Sequence, residues 1–236
     1  MRASEHSTLL SLARKTDEWF ARAKAALLGQ IPCRPGCSHC CIGPFPITLL
    51  DVELLQEGLA QLPPNERERI EQRAEEQVAA MEAAYPRLAN SRFLDQWPDA
   101  DIDQLVSQFH QVPCPALGED GLCGLYHFRP LTCRSMGIPT EQAGITSGAC
   151  EVQTFVPLVR LAASIRAEED RLAAKEAQAL DRHRLAEQAE GEEVLLPYGF
   201  LPQNQTDQQP EAAGQGTKRC ANVTLLGCGS ACSSAG

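Results

Sequence analysis

The sequence predicts a mainly α-helical protein whose helices are joined by metal-stapled cysteine loops, with one small β-hairpin near residues 114–126. Three observations lead to this prediction. Helical periodicity recurs along most of the chain, 11 cysteines gather mainly between the helical segments, and aromatic residues make up only 5% of the sequence. Because few aromatic side chains are available to fill a core, we expect bound metal to contribute to the free energy of folding.

The first two helices are predicted from apolar spacing and capping residues. The first covers residues 7–28 and stops at Gly29. Its apolar residues recur at near-helical spacing: Leu9, Leu12, Phe20, Ala23 and Leu27. After a loop rich in Pro, Gly and Cys, Thr48 and Asp51 resemble the capped start of a second helix, which ends at Leu62 before two prolines.

A third helix is predicted from Asn65, as its N-cap, to Pro86. This helix is mostly polar, so only a thin stripe is expected to be buried: Ile70, Ala74, Val78 and Met81. A short helix is predicted around residues 101–110. It precedes the segment CPALGEDGLCGLY, where a Gly-Glu-Asp-Gly turn predicts the hairpin that presents two cysteines.

The last helix is predicted over residues 154–190, where Ala, Leu, Glu and Arg dominate, and Gly191 closes it. The segment at 195–200 is expected to be the last packed piece of a cysteine-cluster metal-binding domain covering residues 1–200. Residues 201–236 are expected to form a flexible tail, because a polar linker rich in Gln, Pro and Gly cannot bury enough apolar area to offset its ordering entropy.

The charge balance excludes some classes of partner. With 21 basic and 31 acidic residues, the net charge of −10 provides no broad basic footprint for nucleic acid. No apolar run approaches the roughly 18 residues that a membrane helix requires. Charges at Lys15, Asp17 and Glu18 replace the apolar stretch of a signal peptide, so a cytoplasmic protein is expected. Residues 51–111 carry 13 acids and 5 bases, which indicates solvated helix faces or an acidic docking surface for an unknown protein partner.

The cysteines carry the functional prediction. One group holds Cys33, Cys37, Cys40 and Cys41, and a second holds Cys114, Cys123, Cys133 and Cys150. Three more lie in the tail: Cys220, Cys228 and Cys232. Thiolates are soft ligands that prefer zinc, copper(I) or iron–sulfur clusters, and ligands close in sequence converge at little entropic cost. Disulfides would need an oxidising compartment, to which nothing in the sequence directs the chain, and inert core thiols would not cluster in this way.

The eight clustered cysteines resemble those of a known family. The run CRPGCSHCC at 33–41, and the later CPAL…GLCGLYHFRPLTCR with Cys150, are similar to the bacterial YkgJ-type cysteine-cluster proteins, the CxxCxxCC family of zinc- or iron-chelating domains. The resemblance covers roughly residues 30–155. It implies a metal- or cluster-binding domain in which these eight cysteines are the ligands, and it implies no settled activity.

The donor count leaves the metal open. Eight thiolates suit two tetrahedral zinc ions or two [4Fe–4S] clusters, so the cofactor is predicted to be zinc or an iron–sulfur cluster. Either centre with four thiolates carries a formal charge of −2, which nearby arginines could offset: Arg34, Arg129 and Arg134. Surface solvation or salt bridging is the alternative role for these three side chains.

Three functions follow from these alternatives. The first is a metal-binding protein with a redox or accessory role. The second is an iron–sulfur enzyme or a helper for protein or peptide modification, in which the tail is a modified-peptide-like segment. Some proteins with a similar motif, such as the flagellin lysine-methylating enzyme, resemble such modifiers. The third is a zinc-stapled interaction module.

Overall fold

The described chain is mainly helical. The computed structural model describes residues 3–27, 30–31, 33, 36–142, 145–147 and 160–202. Its helices, in chain order, are α1 (Ala3–Ala26), α2 (Leu49–Gln61), α3 (Pro64–Ala84), α4 (Pro86–Asn90), α5 (Asp99–Gln108), α6 (Leu131–Ser135) and α7 (Ala163–Glu187). The mainly α fold class is therefore confirmed.

Two short antiparallel strand pairs complete the described architecture. Strand β1 (Pro46–Thr48) pairs with β4 (Glu193–Leu195), with Ile47 opposite Val194. Strand β2 (Thr140–Gln142) pairs with β3 (Ile145–Ser147). Neither pair is predicted from the sequence, since three-residue strands are too short to show a two-residue period. The first pair fastens the start of α2 to the last packed segment of the described chain.

The larger hydrophobic core lies between α1, α2, α3 and the segment after β4. Leu54, Leu55, Leu195 and Phe200 are each no more than 1% exposed within it. The predicted stripe of α3 is confirmed, because Ile70, Ala74, Val78 and Met81 are the buried residues of that helix. The segment at 195–200 is buried as predicted: Leu195, Leu196, Pro197, Tyr198, Gly199 and Phe200.

Helices α1 and α7 pack against each other in antiparallel directions. The indole Nε1 of Trp19 donates to the carbonyl of Ile165 over 3.0 Å, and Arg22 pairs with Glu168 one turn further along α1. Trp19 belongs to a second hydrophobic cluster, which includes Ile138 beyond the end of α6. This packing places α1 beside the segment that follows Cys133.

Two predicted helix ends are wrong. Asn65 is not the cap of α3: Pro63 occupies the N-cap position and Pro64 the first turn, because proline is pre-set to helical φ and needs no partner for a missing N–H. Gly191 does not close α7, which ends at Glu187 and is followed by Gln188 as its C-cap, with φ of +52°. Gly191 instead lies against Phe93 and Asp95, where a Cβ atom would not fit.

Other predicted bounds shift. Helix α5 begins at Asp99, two residues before the predicted start, and α4 was not predicted. The hairpin near 114–126 is reduced to a tight turn with a single bridge between Leu117 and Cys123. Residues 154–159 of the last predicted helix, Cys150 and the tail beyond Pro202 lie outside the described residues, so the tail prediction stays a prediction.

Candidate metal centre

A short backbone ladder joins the two cysteine groups. The amide of Cys114 donates to the carbonyl of Cys41 over 2.7 Å, and the amide of Gly43 donates to the carbonyl of Val112 over 2.7 Å. Between these bonds, Ile42 and Pro113 form an antiparallel bridge. Since both amides find a carbonyl partner, the ladder satisfies groups that would be costly to leave unpaired, and it fixes Cys41 next to Cys114.

The adjacent thiols of Cys40 and Cys41, at the end of the first group, differ in pKa. Residues His39–Cys41 form one 3-10 turn, in which the amide of Cys41 bonds to the carbonyl of Ser38 over 2.8 Å. The hydrogen bond from the Cys41 thiol lowers the pKa of Cys40 to about 7, and the charge of Arg129 acts in the same direction. The same bond, together with burial, raises the pKa of Cys41 far above its usual range.

A tight turn brings Cys123 back towards Cys114. The amide of Leu117 donates to the carbonyl of Cys114 over 2.9 Å. Asp120 steadies the tip, where its carboxylate accepts from the amide of Leu122 over 3.0 Å, and Gly121 takes a φ of +76° that only glycine adopts easily. The turn thus presents Cys114 and Cys123 as predicted, although its strands are not formed.

Asp51 fixes the helix that carries Cys133. This carboxylate is 0% exposed and accepts from the amide of Leu131 over 2.6 Å and from the hydroxyl of Thr132 over 3.3 Å. It therefore caps the N-terminus of α6 from a distant position in sequence. Burial raises the pKa of Asp51 to about 6, against these hydrogen bonds, which lower it.

Arg134, directly after Cys133, is a buried anchor. Arg134 is 4% exposed. Its guanidinium donates to the carbonyl of Arg129 over 3.0 Å and to the carbonyl of His127 over 2.7 Å. It also pairs with Asp17 of α1, which binds Arg129 over 2.7 Å through its other oxygen. These contacts tie the segment 127–134 to α1. Salt bridging is therefore the role seen for Arg129 and Arg134, while Arg34 lies outside the described residues.

Cys33 and Cys37, the first two cysteines of the first group, lie near two different segments of the second group. The Cys33 sulfur lies so close to Gly137, just beyond α6, that a Cβ atom at residue 137 would overlap it. Gly137 also has a φ of +95°, so the position favours glycine for two reasons. Cys37 is half-buried, and the carbonyl of its neighbour Gly36 is close to Gly121 at the turn of the second group.

The thiols of both groups share one electrostatic environment. Burial raises the pKa of Cys114 to about 12 and raises those of Cys123 and Cys133. The charges of neighbouring thiols act in the same direction: Cys114 and Cys133 raise the pKa of Cys41, and Cys40 raises that of Cys114. Five thiols from two distant parts of the sequence therefore lie within electrostatic reach of one another.

These neighbours do not form a finished cage. None of the seven described cysteines is in a disulfide, yet among described residues no three His, Cys, Asp or Glu side chains are arranged to hold one ion. The donor set nevertheless fits zinc or an iron–sulfur cluster, because it consists of partly buried soft sulfur atoms. A bound metal would replace the protons that burial retains on these thiols.

Two residues of the site were missed as functional. In the sequence, Asp17 stands out only as a charge where a signal peptide would be apolar, and Asp51 only as a residue at a helix start. A signal for Asp51 was present, since an acid among Leu49, Leu50 and Val52 indicates a buried carboxylate that needs donors. Nothing in the local sequence of Asp17 distinguishes it from its exposed neighbour Glu18.

One family model matches the part of the chain that holds both cysteine groups. The family model described as "CxxCxxCC: Putative zinc- or iron-chelating domain" matches residues 32–151, just over half of the chain. The chain belongs to this CxxCxxCC family of zinc- or iron-chelating domains. No curated protein and no solved structure matches the chain significantly. Within the described residues, no helix combines the length and the apolar character needed to cross a bilayer.

Proposed function

We propose that the protein holds zinc or an iron–sulfur cluster through thiolates drawn from both of its cysteine groups. The observation that supports this most directly is the backbone ladder that sets Cys41 beside Cys114. Five thiols around this ladder are close enough to influence one another's protonation.

The proposed ligands are the eight family cysteines. The five that share one environment are Cys40, Cys41, Cys114, Cys123 and Cys133. Cys33 and Cys37 flank them, and Cys150 is proposed on the family pattern alone. Asp51 and Arg134 are positioning residues, because they hold the helix of Cys133 without supplying sulfur.

The proposed role is redox or accessory and takes place in the cytoplasm. A bound iron–sulfur cluster would supply one-electron transfer, whereas a bound zinc ion would supply a structural crosslink. The chain contributes a partly buried pocket of sulfur donors and the charge of Arg129, which favours the thiolate of Cys40. A positive charge beside the thiolates offsets part of the negative charge that a four-thiolate centre carries.

The test is anaerobic purification of the full chain from its native host, followed by elemental analysis for zinc, iron and acid-labile sulfide. We expect bound metal that Cys114→Ser reduces and that Cys228→Ser, in the tail, leaves unchanged. Brown protein with equal iron and sulfide would support the redox role or the iron–sulfur enzyme. Colourless protein with zinc would instead support an accessory or interaction role. A metal-free native protein would contradict the proposal.

A further inference from the structure

Helices α1 and α7 line a groove of positive charge to which no described cysteine contributes. The groove has a volume of about 440 Å³. Its cations are Lys15 from α1 and Lys175 and Arg182 from α7. Among the described residues, the lining also includes an amide, a leucine and three hydroxyl side chains, and no carboxylate. In a chain with a net charge of −10, three converging cations without an acidic side chain in their groove are unexpected.

Hydroxyl groups face the same space. Ser7, Thr8 and Ser11 line the groove one and two turns before Lys15 on α1. The spacing of 7, 11 and 15 places these residues on one helix face, and the spacing of 175, 178 and 182 does the same on α7. The groove thus presents ammonium, guanidinium and hydroxyl donors together, a set that matches the acceptor oxygens of a phosphate group.

The charge pattern along the two helices differs between this groove and the rest of their interface. Near one end of the interface, Arg22 meets Glu168, so opposite charges face each other. Two turns along α1, Lys15 and Lys175 line a common groove, and no ion pair joins either of them to a described residue. Like charges in one groove repel each other, and an anion between them would remove that repulsion.

We propose that this groove binds the phosphate group of a small phosphorylated molecule. Its volume lies within the range of about 300–1,000 Å³ that is typical of small-molecule sites, so it can hold more than a bare phosphate ion. The phosphate would accept from Lys15, Lys175 and Arg182, while the hydroxyls of α1 orient it. This site is distinct from the cysteine centre and does not depend on the metal bound there.

The test titrates the full, metal-loaded chain at constant ionic strength with inorganic phosphate and, separately, with AMP, by calorimetry. We expect both probes to bind and AMP to bind more tightly. Arg182→Gln and Lys175→Gln should each weaken binding about tenfold, since each removes one charge-assisted contact. The matched controls, Arg171→Gln on α7 and Lys24→Gln on α1, change exposed or half-exposed cations outside the groove and should leave binding unchanged.

A second measurement needs no ligand. In phosphate-free buffer, Lys175→Gln should raise the thermal midpoint of unfolding because it relieves repulsion with Lys15, whereas Arg171→Gln should not. Tighter binding of inorganic phosphate than of AMP would identify free phosphate as the ligand and would overturn the phosphorylated-molecule proposal. Absence of binding by both probes, or equal weakening by the groove and control variants, would overturn the site itself.

Discussion

Asp17, in the middle of α1, forms an ion pair with the buried guanidinium of Arg134, the residue that follows Cys133. The other carboxylate oxygen binds Arg129 over 2.7 Å. One side chain of α1 therefore binds both arginines that flank Cys133. The position of α6 depends on a contact that spans 117 residues of sequence.

Asp17→Asn should destabilise the protein. The substitution leaves Arg134 buried without its negative partner, and we expect the free energy of unfolding to fall by about 1–3 kcal/mol. Urea denaturation followed by circular dichroism measures this loss. Glu18→Gln, which removes an exposed pair with Arg14, should cost less than about 0.5 kcal/mol. Similar losses in the two variants would show that the Asp17 contact contributes no more than a surface pair.

Asp51→Ala should weaken both the fold and metal retention. Without the carboxylate, the amide of Leu131 and the hydroxyl of Thr132 lose their buried acceptor, at a cost of about 1–3 kcal/mol. Because α6 carries Cys133, metal content after dialysis should fall as well. Asp51→Asn keeps one acceptor oxygen, so its stability and its metal content should lie between those of Asp51→Ala and the wild type. Asp103→Asn, at an exposed site of α5, is the control and should change neither quantity.

Glu176→Gln should stabilise the protein above neutral pH. Burial, and then the charge of Asp51, raise the pKa of Glu176 to about 7. A carboxyl whose pKa is raised by folding favours the native state when protonated. Its contribution is therefore complete below about pH 4.5 and is lost as the pH rises through 7.

The glutamine variant should match the wild type near pH 4 and exceed it by about 1–3 kcal/mol at pH 8. Denaturant unfolding at both pH values measures the difference. Glu187→Gln, an exposed change on the same helix, should show no such pH dependence. A Glu176→Gln variant that is less stable than the wild type at pH 8 would mean that the carboxylate makes a favourable contact.

Cys133→Ser should lower both metal content and thermal stability, because a serine hydroxyl is a poor replacement for a soft, partly buried sulfur ligand. Cys37→Ser should do the same if the loop of the first group completes the site. Elemental analysis and a melting curve of each purified variant provide the measurements. Full metal occupancy with an unchanged melting temperature in both variants would place the metal elsewhere in the chain.

A chain truncated after Pro202 should retain the metal content of the full chain. The end point matters, because Gln56 of α2 donates to the carbonyls of Gly199 and Leu201 over 2.7 and 3.0 Å. Truncation after Phe200 would remove the second of these acceptors and should lower the melting temperature slightly. Loss of metal from the chain that ends at Pro202 would identify the tail cysteines as ligands.

Periodic features could be predicted from the sequence, and close approaches of distant segments could not. The stripe of α3 and the capping of α2, where the Thr48 hydroxyl accepts from the amide of Asp51, were predicted because both signals are local. The end of α7 was predicted wrongly because Gly191 is required by its contact with Phe93 and not by a helix cap. A local pattern cannot distinguish these two reasons for a glycine.

In the candidate site, too, local features could be predicted from the sequence and contacts between distant segments could not. Residue type and clustering single out the cysteines, but the ladder between Cys41 and Cys114, the ion pairs of Asp17 and the cap from Asp51 depend on long-range contacts. Asp51 shows a local signal of burial, as an acid among apolar residues, but nothing in its neighbourhood indicates which amide it binds, and Asp17 shows no local signal at all. Prediction from the sequence therefore identifies the donors without the elements that position them.

The ladder between Cys41 and Cys114 also bears on the order of events when a newly made chain folds. All of α2, α3, α4 and α5 lies between its two strands, so the loop closes only after these helices are made. Contacts of such long sequence separation form slowly. We therefore expect an unfinished chain to capture thiophilic ions poorly, and metal uptake to follow completion of the fold, so that loading distinguishes finished molecules from partly made ones.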